Sequence, residues 1–243
     1  MTSRYKWSSF GATCIGPAHV FAGIPNQDYW SSFHNAWGDG IVVSDGLGSH
    51  SNSDVGSRAV CRTFKLAALK VLRDNIEFDP LRFHGMIKDL WETSVEYLGT
   101  QTCGATCSYA MRRPEGVIEI GSLGDGCAAV VTDKGQVISL SEDKSDSFSN
   151  LTFGLAPRTQ TSDWKTLRLP ETECRAVLLC TDGVSDDIDD IEGFTLNFFD
   201  VHSSLARVAA SRRTREILEM WPVPKHRDDK TLVCLTRREV SLE

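Results

Sequence analysis

Short acidic motifs recur along the chain, and they are the residues best suited to chemistry. They are Asn26-Gln27-Asp28, Ser44-Asp45-Gly46-Leu47-Gly48, Gly124-Asp125-Gly126, Thr181-Asp182-Gly183 and Asp228-Asp229. Several of these aspartates follow strand-like apolar runs, and a glycine after the run lets the chain turn sharply where a ligand must approach. Carboxylates that converge from distant parts of a chain need a positive partner, because they otherwise raise one another's pKa. Hard divalent cations such as Mg²⁺ or Mn²⁺ prefer oxygen ligands of this kind.

Such a metal centre favours one type of reaction. Two divalent ions that share a bridging aspartate lie about 3.5–4 Å apart and can activate a water molecule between them. The resulting hydroxide is suited to in-line attack on phosphorus, so no side chain has to be the nucleophile. The sequence contains no Gly-x-Ser-x-Gly motif, no Gly-x4-Gly-Lys-Ser/Thr loop and no His-Glu-x-x-His motif, which are the signatures of rival chemistries.

Composition limits the class of protein and of partner. The 243 residues are 41% hydrophobic and 24% charged, which is typical of a globular domain. A formal net charge of −7, without a basic stripe, argues against a nucleic-acid partner. The chain has no apolar run of about 18 residues and no signal-peptide pattern, so we expect no membrane partner. The eight cysteines lack zinc-site spacing, and we expect reduced, mostly buried thiols in a cytoplasmic protein.

The elements that must position the aspartates can be predicted from periodicity and turn residues. Strands are predicted at 7–15, 28–33, 40–44, 103–111, 116–123, 128–132, 136–140, 163–169, 175–180 and 231–237. Helices are predicted from 52–54 to 72, and at 80–98, 184–190 and 203–220. This order favours an α+β fold, and two antiparallel sheets flanked by helices would satisfy it. We expect a single domain over 1–243, with an exposed flap at 141–162 because that segment is polar and aperiodic.

The motifs together carry a resemblance to a known family. Asn-Gln-Asp, Ser-Asp-Gly-Leu-Gly, Cys-Gly-Ala-Thr, Gly-Asp-Gly, Thr-Asp-Gly-Val-Ser-Asp and Asp-Asp-Lys-Thr resemble, in order and spacing, the metal-dependent serine/threonine protein phosphatases of type 2C. Each motif is weak alone, but the series extends from about residue 10 to 237. The stretch from Gly16-Pro17-Ala18-His19 to Asn26-Gln27-Asp28 is similar to the bacterial branch of that family.

The resemblance implies a fold and a role for each motif. The fold would be a β-sandwich of two stacked antiparallel β-sheets, flanked by α-helices on both outer faces. The implied metal-binding positions are Asp45 as the bridge between two ions, the carbonyl of Gly46, Asp182 and Asp228, with Asp125 at a third, more loosely held ion. Asp28 matches the acidic residue that orients metal-bound waters, and 141–162 matches the flap beside the active site.

The sequence departs from the family pattern at three positions. Gly23 stands where many members have an arginine that clamps the substrate phosphate. His19 is our candidate to replace that arginine, and it is the second candidate catalytic residue beside Asp28. Leu47 stands where eukaryotic relatives have a histidine that serves as a general acid. Asp229 stands where asparagine is usual, which adds negative charge near the metal ions.

The hypothesis that follows is a protein phosphatase that hydrolyses phosphoserine and phosphothreonine with Mn²⁺ or Mg²⁺. Its partners would be phosphorylated proteins, and it would oppose a serine/threonine kinase. Two alternatives stay open: a pseudophosphatase that serves as a binding module, which Gly23 and Leu47 favour, and a hydrolase of small phosphorylated metabolites. The retained aspartates argue against the first, because clustered carboxylates are costly in a pure scaffold.

Overall fold

Strands and helices alternate in blocks in the computed structural model, which describes residues 5–74, 76–140 and 154–239. The strands of this described part are β1 Tyr5–Cys14, β2 Tyr29–Asn35, β3 Gly38–Ser44, β4 Cys107–Arg113, β5 Val117–Leu123, β6 Cys127–Thr132, β7 Val137–Leu140, β8 Lys165–Pro170, β9 Cys174–Cys180 and β10 Lys230–Glu239. Its α-helices are α1 Pro17–Ala22, α2 Ser53–Arg73, α3 Pro80–Val95, α4 Asp182–Ser185, α5 Ile191–Ser203 and α6 Arg207–Glu219.

The strands form two five-stranded sheets in which every neighbouring pair is antiparallel. The first sheet has the order β1-β10-β9-β6-β7 and the second has the order β2-β3-β4-β5-β8. Apolar residues of both sheets, such as Val177 and Ile41, share one core between them. Helices α2 and α3 cover the second sheet, and α5 and α6 cover the first. The predicted α+β sandwich with helices on both outer faces is confirmed.

Burial on both faces explains why the central strands show apolar runs and not a clean alternation. In β9, Val177 and Leu179 point into the core between the sheets, whereas Ala176 and Leu178 point towards α5 and α6. All four side chains are at most 2% exposed. Such a strand is held rigidly, and the residues at its end therefore have a fixed position.

The helix predictions need three corrections. The segment 17–22, which we left unassigned, is the helix α1, and Pro17 occupies its first turn, where its missing N–H has no cost. The helix predicted at 184–190 ends at Ser185. The segment before 203, which we left unassigned, is the separate helix α5, and α6 begins only at Arg207.

The predicted flap falls partly outside the described residues, since 141–153 are not described. The part that follows is packed and not exposed throughout. Leu155 is fully buried and pairs with Ala105 in an isolated bridge. The Lys88 ammonium group on α3 donates to the carbonyls of Pro157 at 3.1 Å and Thr159 at 2.9 Å. These contacts fix the second half of the predicted loop against α3.

Two expectations about the chain as a whole can be compared with the structure. All eight cysteines are free, and each of them except Cys14 is buried, as expected. Among the described residues, no helix is both long enough and apolar enough to cross a membrane.

Candidate metal centre

The sequence-predicted aspartates lie where strands of both sheets end. Asp45 directly follows β3 of the second sheet, and Asp28 directly precedes β2. In the first sheet, Asp182 begins α4 two residues after β9, and Asp228 lies two residues before β10. Asp125 lies in the turn between β5 and β6, which connects the two sheets. These strand ends meet at one end of the sandwich.

The carboxylates of these residues interact directly. Asp45 lies next to Asp28 and Asp182, and both act on its ionisation. The charge of Asp228 acts on both Asp45 and Asp182, and the charge of Asp125 acts on Asp182. We call these five residues the acidic cluster. The five predicted aspartates therefore lie together at this end of the sandwich.

Burial and mutual repulsion raise the proton affinity of the cluster. Burial is the largest cause that raises the pKa of Asp28 to about 7, and the charge of Asp229 adds to it. Burial, followed by the charge of Asp125, raises the pKa of Asp182 to about 6. Burial and the neighbouring Asp28 raise the pKa of Asp45 well above its usual value. The five carboxylates outnumber the one lysine near them, Lys230, and a bound cation would supply further positive charge.

The available oxygen atoms fit a hard cation. Thr181 Oγ1 donates to Asp28 Oδ2 at 2.8 Å, whereas Asp28 Oδ1 is buried and has no partner among the described residues. The described residues contain no group of three Asp, Glu, His or Cys side chains that already forms a ligand arrangement. The cluster thus fits a divalent ion by its donor chemistry and charge, while its carboxylates must rotate to surround one.

Glycines next to the aspartates are required by close backbone approach. A Cβ on Gly46 would lie 2.6 Å from the Ser53 carbonyl oxygen, and a Cβ on Gly183 would overlap the Asp229 carbonyl oxygen. Any larger residue would push these segments apart. The glycine of these Asp-Gly pairs is therefore explained by the tight backbone packing around the cluster.

Asp229 has a structural role that sequence reasoning missed. Its Oδ1 accepts from the Gly16 N–H at 2.6 Å, and its Oδ2 accepts from the Gln27 N–H at 2.6 Å. Oδ2 also contacts Nδ1 of His19 at 2.9 Å. The other ring nitrogen of His19, Nε2, has no hydrogen-bond partner among the described residues. Asp229 thus connects α1 to the Asn-Gln-Asp motif and orients His19. These contacts span more than 200 positions and leave no local signal in the sequence.

The other two departures from the family pattern have local explanations. Gly23 ends α1 with φ of 67°, the left-handed conformation that glycine adopts readily. The side chain of Leu47 lies beside Gly104, next to the ring of His50. His50 Nδ1 accepts from the Gly104 N–H at 3.0 Å. No pattern around His50 in the sequence indicated this proximity.

A cation that sequence reasoning did not single out also lies at the cluster. Lys230 is buried, and its ammonium group donates to the Asp228 carbonyl at 3.1 Å. Burial lowers its pKa, which the nearby Asp187 opposes. A cavity of about 100 Å³ is lined by this lysine and by Asp182, Asp186 and Arg227. Asp187 also lines it, so Asp186 and Asp187 belong to the surroundings of the site.

Comparison with known proteins gives consistent matches. The family model for protein phosphatase 2C matches residues 15–219. No curated protein sequence matches the chain. The catalytic domain of the serine/threonine protein phosphatase PstP, solved with two manganese ions, is 17% identical with a TM-score of 0.65, over 96% of this chain and 99% of that one. Serine/threonine phosphatase Stp1 from Staphylococcus aureus is 17% identical with a TM-score of 0.65, over 95% of each chain. RsbX in complex with magnesium is 15% identical with a TM-score of 0.60, over 96% of each chain.

Proposed function

Since the chain belongs to the protein phosphatase 2C family of metal-dependent serine/threonine phosphatases, we propose that the acidic cluster holds its metal ions. One observation carries this proposal. Carboxylates at strand ends of both sheets act on one another, Asp28 Oδ1 is buried without a partner among the described residues, and the pKa values of Asp28 and Asp182 are raised to about 7 and about 6. Such a group is stable as an anion only beside a cation.

Each aspartate takes the role that the resemblance to the family implies. Asp45 would be the carboxylate shared between two ions, and its neighbours Asp28 and Asp182 act on it. The carbonyl of Gly46 would complete the shell of one ion, and Asp182 and Asp228 would bind the other. Asp125 acts on Asp182 and suits a third, more loosely held ion that Asp182 shares. The ions are Mn²⁺ or Mg²⁺, since both accept carboxylate and carbonyl oxygens.

The chain's own residues then position the reactants. Bound divalent ions supply positive charge to a phosphoryl group and lower the pKa of water towards neutrality. Thr181 holds Asp28 Oδ2, so Asp28 Oδ1 stays available to accept a hydrogen bond from a water molecule and orient it. His19, fixed through Nδ1 by Asp229, can direct its other ring nitrogen, Nε2, towards a phosphoryl oxygen. This contact would replace the bidentate arginine that Gly23 lacks, with one donor in place of two.

The substrates in this proposal are phosphoserine and phosphothreonine residues of proteins, so the enzyme would oppose a serine/threonine kinase. A cytoplasmic location agrees with eight free cysteines, since thiols stay reduced in that compartment.

The direct test is the release of phosphate from p-nitrophenyl phosphate and from a phosphothreonine peptide. We expect turnover with Mn²⁺, none with EDTA, and a loss of at least about a hundredfold in Asp182→Asn, because removing a direct ligand should exceed the effect of outer-shell changes. Asp133→Asn is the matched control, since Asp133 is exposed in the β6–β7 turn. Absence of any metal-dependent release above the Asp182→Asn level would contradict the proposal.

Calorimetric titration with Mn²⁺ separates the alternatives. A protein that binds Mn²⁺ but turns over neither substrate would be a binding module. A panel that favours phosphorylated metabolites over the phosphopeptide would instead identify a small-molecule phosphatase.

A further inference from the structure

Two cysteines face each other directly beside the acidic cluster. Cys127 is the first residue of β6 and Cys180 is the last residue of β9, and the register pairs them. Both side chains belong to the core under α5 and α6, so they lie on the same face of the sheet. The two thiols are close enough for each to influence the pKa of the other. In the strand pairings of the described residues, no other two cysteines are opposite each other.

This placement matches the geometry of a disulfide. Directly opposed residues in antiparallel strands have Cα atoms about 4.5–5.5 Å apart. A disulfide needs Cα atoms about 4.4–6.8 Å apart and both Cβ vectors directed towards each other. We propose that Cys127 and Cys180 form a reversible, peroxide-sensitive dithiol site whose oxidation alters the metal centre.

The oxidation balances with one molecule of hydrogen peroxide. The thiolate of one cysteine attacks a peroxide oxygen, the O–O bond breaks, and a sulfenic acid and one water molecule form. The sulfur of the second cysteine then attacks the sulfenic sulfur, the S–O bond breaks, and the hydroxyl group leaves as a second water molecule. Two thiols have lost two electrons and two protons, and both oxygen atoms of the peroxide are in water. A dithiol reductant reverses the reaction by exchange.

The position of the pair in the chain determines its effect. Asp125 lies two residues before Cys127, and Asp182 lies two residues after Cys180. These two carboxylates already interact, and a covalent bond between the strand ends would fix their separation. The resulting change in ligand geometry should weaken Mn²⁺ binding about tenfold, comparable with the loss of an outer-shell contact. This consequence rests on the proposed metal roles of Asp125 and Asp182, whereas disulfide formation itself does not.

Burial determines how fast the thiols can react. Cys127 is 2% exposed and Cys180 is fully buried, so an oxidant reaches them only when the strand ends open. Ends of strands open locally at a lower free energy than the centre of a sheet. A metal that binds Asp125 and Asp182 would hold both ends, so Mn²⁺ should slow the oxidation and EDTA should accelerate it.

The experiment uses the full chain in a Cys14→Ala background, because Cys14 is the half-exposed thiol and would consume oxidant. The protein is treated with hydrogen peroxide in EDTA or in Mn²⁺, alkylated, digested and analysed by mass spectrometry. We expect a linked peptide pair that contains Cys127 and Cys180, the loss of two titratable thiols, and faster loss in EDTA. Calorimetry should then give about tenfold weaker Mn²⁺ binding after oxidation, with recovery upon reduction.

Variants identify the reacting pair. Cys127→Ala should abolish the linked peptide, and Cys180→Ala does the same should the first variant fail to fold. Cys103→Ala is the matched control, since Cys103 is equally buried but lies in the core on the other outer face.

Two intact thiols after peroxide treatment in EDTA, or a link between other cysteines, would overturn the site. A disulfide that leaves Mn²⁺ affinity unchanged would overturn its effect on the metal centre. The linked peptide is detected by mass spectrometry and requires no turnover. Disulfide formation can therefore be tested even when the protein shows no phosphatase activity.

Discussion

Two groups of buried charged side chains lie in different parts of the sandwich, and in one of them a guanidinium pairs with both carboxylates. The acidic cluster brings five carboxylates together, and burial, with the neighbouring charges, raises the pKa values of Asp28 and Asp182. The second group, which we call the balanced network, joins β1, β2, β3, β4 and the turn before β9. Its members are Trp7, Ser9, His34, Asp39, Arg112 and Glu171.

Every contact in the balanced network has a donor facing an acceptor. Asp39 Oδ2 accepts from Arg112 Nε at 2.7 Å, and Asp39 Oδ1 contacts His34 Nδ1 at 2.7 Å. Glu171 Oε2 accepts from Trp7 Nε1 at 3.2 Å and lies 3.8 Å from Arg112 Nη1. The charges are satisfied within the protein, so the network requires no ligand. The acidic cluster has raised pKa values and a buried oxygen, Asp28 Oδ1, without a partner among the described residues, and both features support the proposed metal site.

The balanced network also contains the geometry of a catalytic triad. Ser9 Oγ lies 2.8 Å from His34 Nε2, whose Nδ1 faces Asp39. A nucleophilic serine must contact its substrate, however, and Ser9 is fully buried. Hydrogen-bond geometry alone therefore does not identify a site, and accessibility together with unbalanced charge separates the two regions.

The strongest test of the comparison removes the cation of the balanced network. Arg112→Met leaves Asp39 and Glu171 buried without their charged partner. The free energy of unfolding should fall by about 3–5 kcal/mol, because an uncompensated buried charge remains. Urea unfolding measures the loss, and turnover per folded molecule should be unchanged. A fall below about 1 kcal/mol, the value of an exposed ion pair, would mean that the network is not a stabilising unit.

The acidic cluster should respond to pH in the direction opposite to ordinary paired carboxylates. Burial raises the pKa of Asp28 from 3.8 to about 7 and that of Asp182 from 3.8 to about 6. The folded state therefore binds more protons than the unfolded state between these values, so the stability of the metal-free protein should fall as pH rises through that window. We expect a decrease of roughly 5 kcal/mol from these two residues together between about pH 4 and pH 7.

Urea unfolding in EDTA across this pH range measures the effect, and the Asp28→Asn variant separates it from other titrating groups. The variant should lose less stability with rising pH than the parent protein, because one buried ionisation is removed. Saturating Mn²⁺ should reverse the slope, since deprotonated carboxylates bind the ion. Equal slopes for the parent and the variant in EDTA would show that Asp28 ionises without a burial cost.

The sequence was sufficient to predict the acidic cluster and the sheet architecture. Asp45 and Asp182 follow apolar strands, and antiparallel strands of two stacked sheets place such strand ends together. The order of the motifs along the chain was therefore enough to predict that these aspartates are close in space. The thiol pair was not predicted, because the register that sets Cys127 opposite Cys180 depends on strands about 50 positions apart.

Local signals failed where tertiary contacts decide the outcome. Helix α5 was missed because aromatic residues such as Phe194, Phe198 and Phe199 have modest helix propensity, and their packing under the first sheet forms the helix. Helix α1 was missed because it has six residues and begins with proline. The bond between His19 and Asp229 joins residues 210 positions apart, and no periodicity can indicate it.

The finest test of the comparison uses two histidines that are bound alike. His19 and His34 each contact a buried aspartate through Nδ1, at 2.9 Å and 2.7 Å. Nε2 of His34 is engaged by Ser9, whereas Nε2 of His19 has no partner in the part of the chain that the structure describes. The same substitution should therefore act on function at one position and on stability at the other.

His19→Gln should lower kcat/KM for a phosphothreonine peptide about tenfold, mainly through KM, because one charge-assisted hydrogen bond to the phosphoryl group is lost. His34→Gln should lower the free energy of unfolding by about 1 kcal/mol through its hydrogen bonds and leave kcat/KM unchanged. Steady-state kinetics and urea unfolding of both variants give the four values. Equal kinetic effects at the two positions would refute a phosphate-binding role for His19, since only His19 lies beside the acidic cluster.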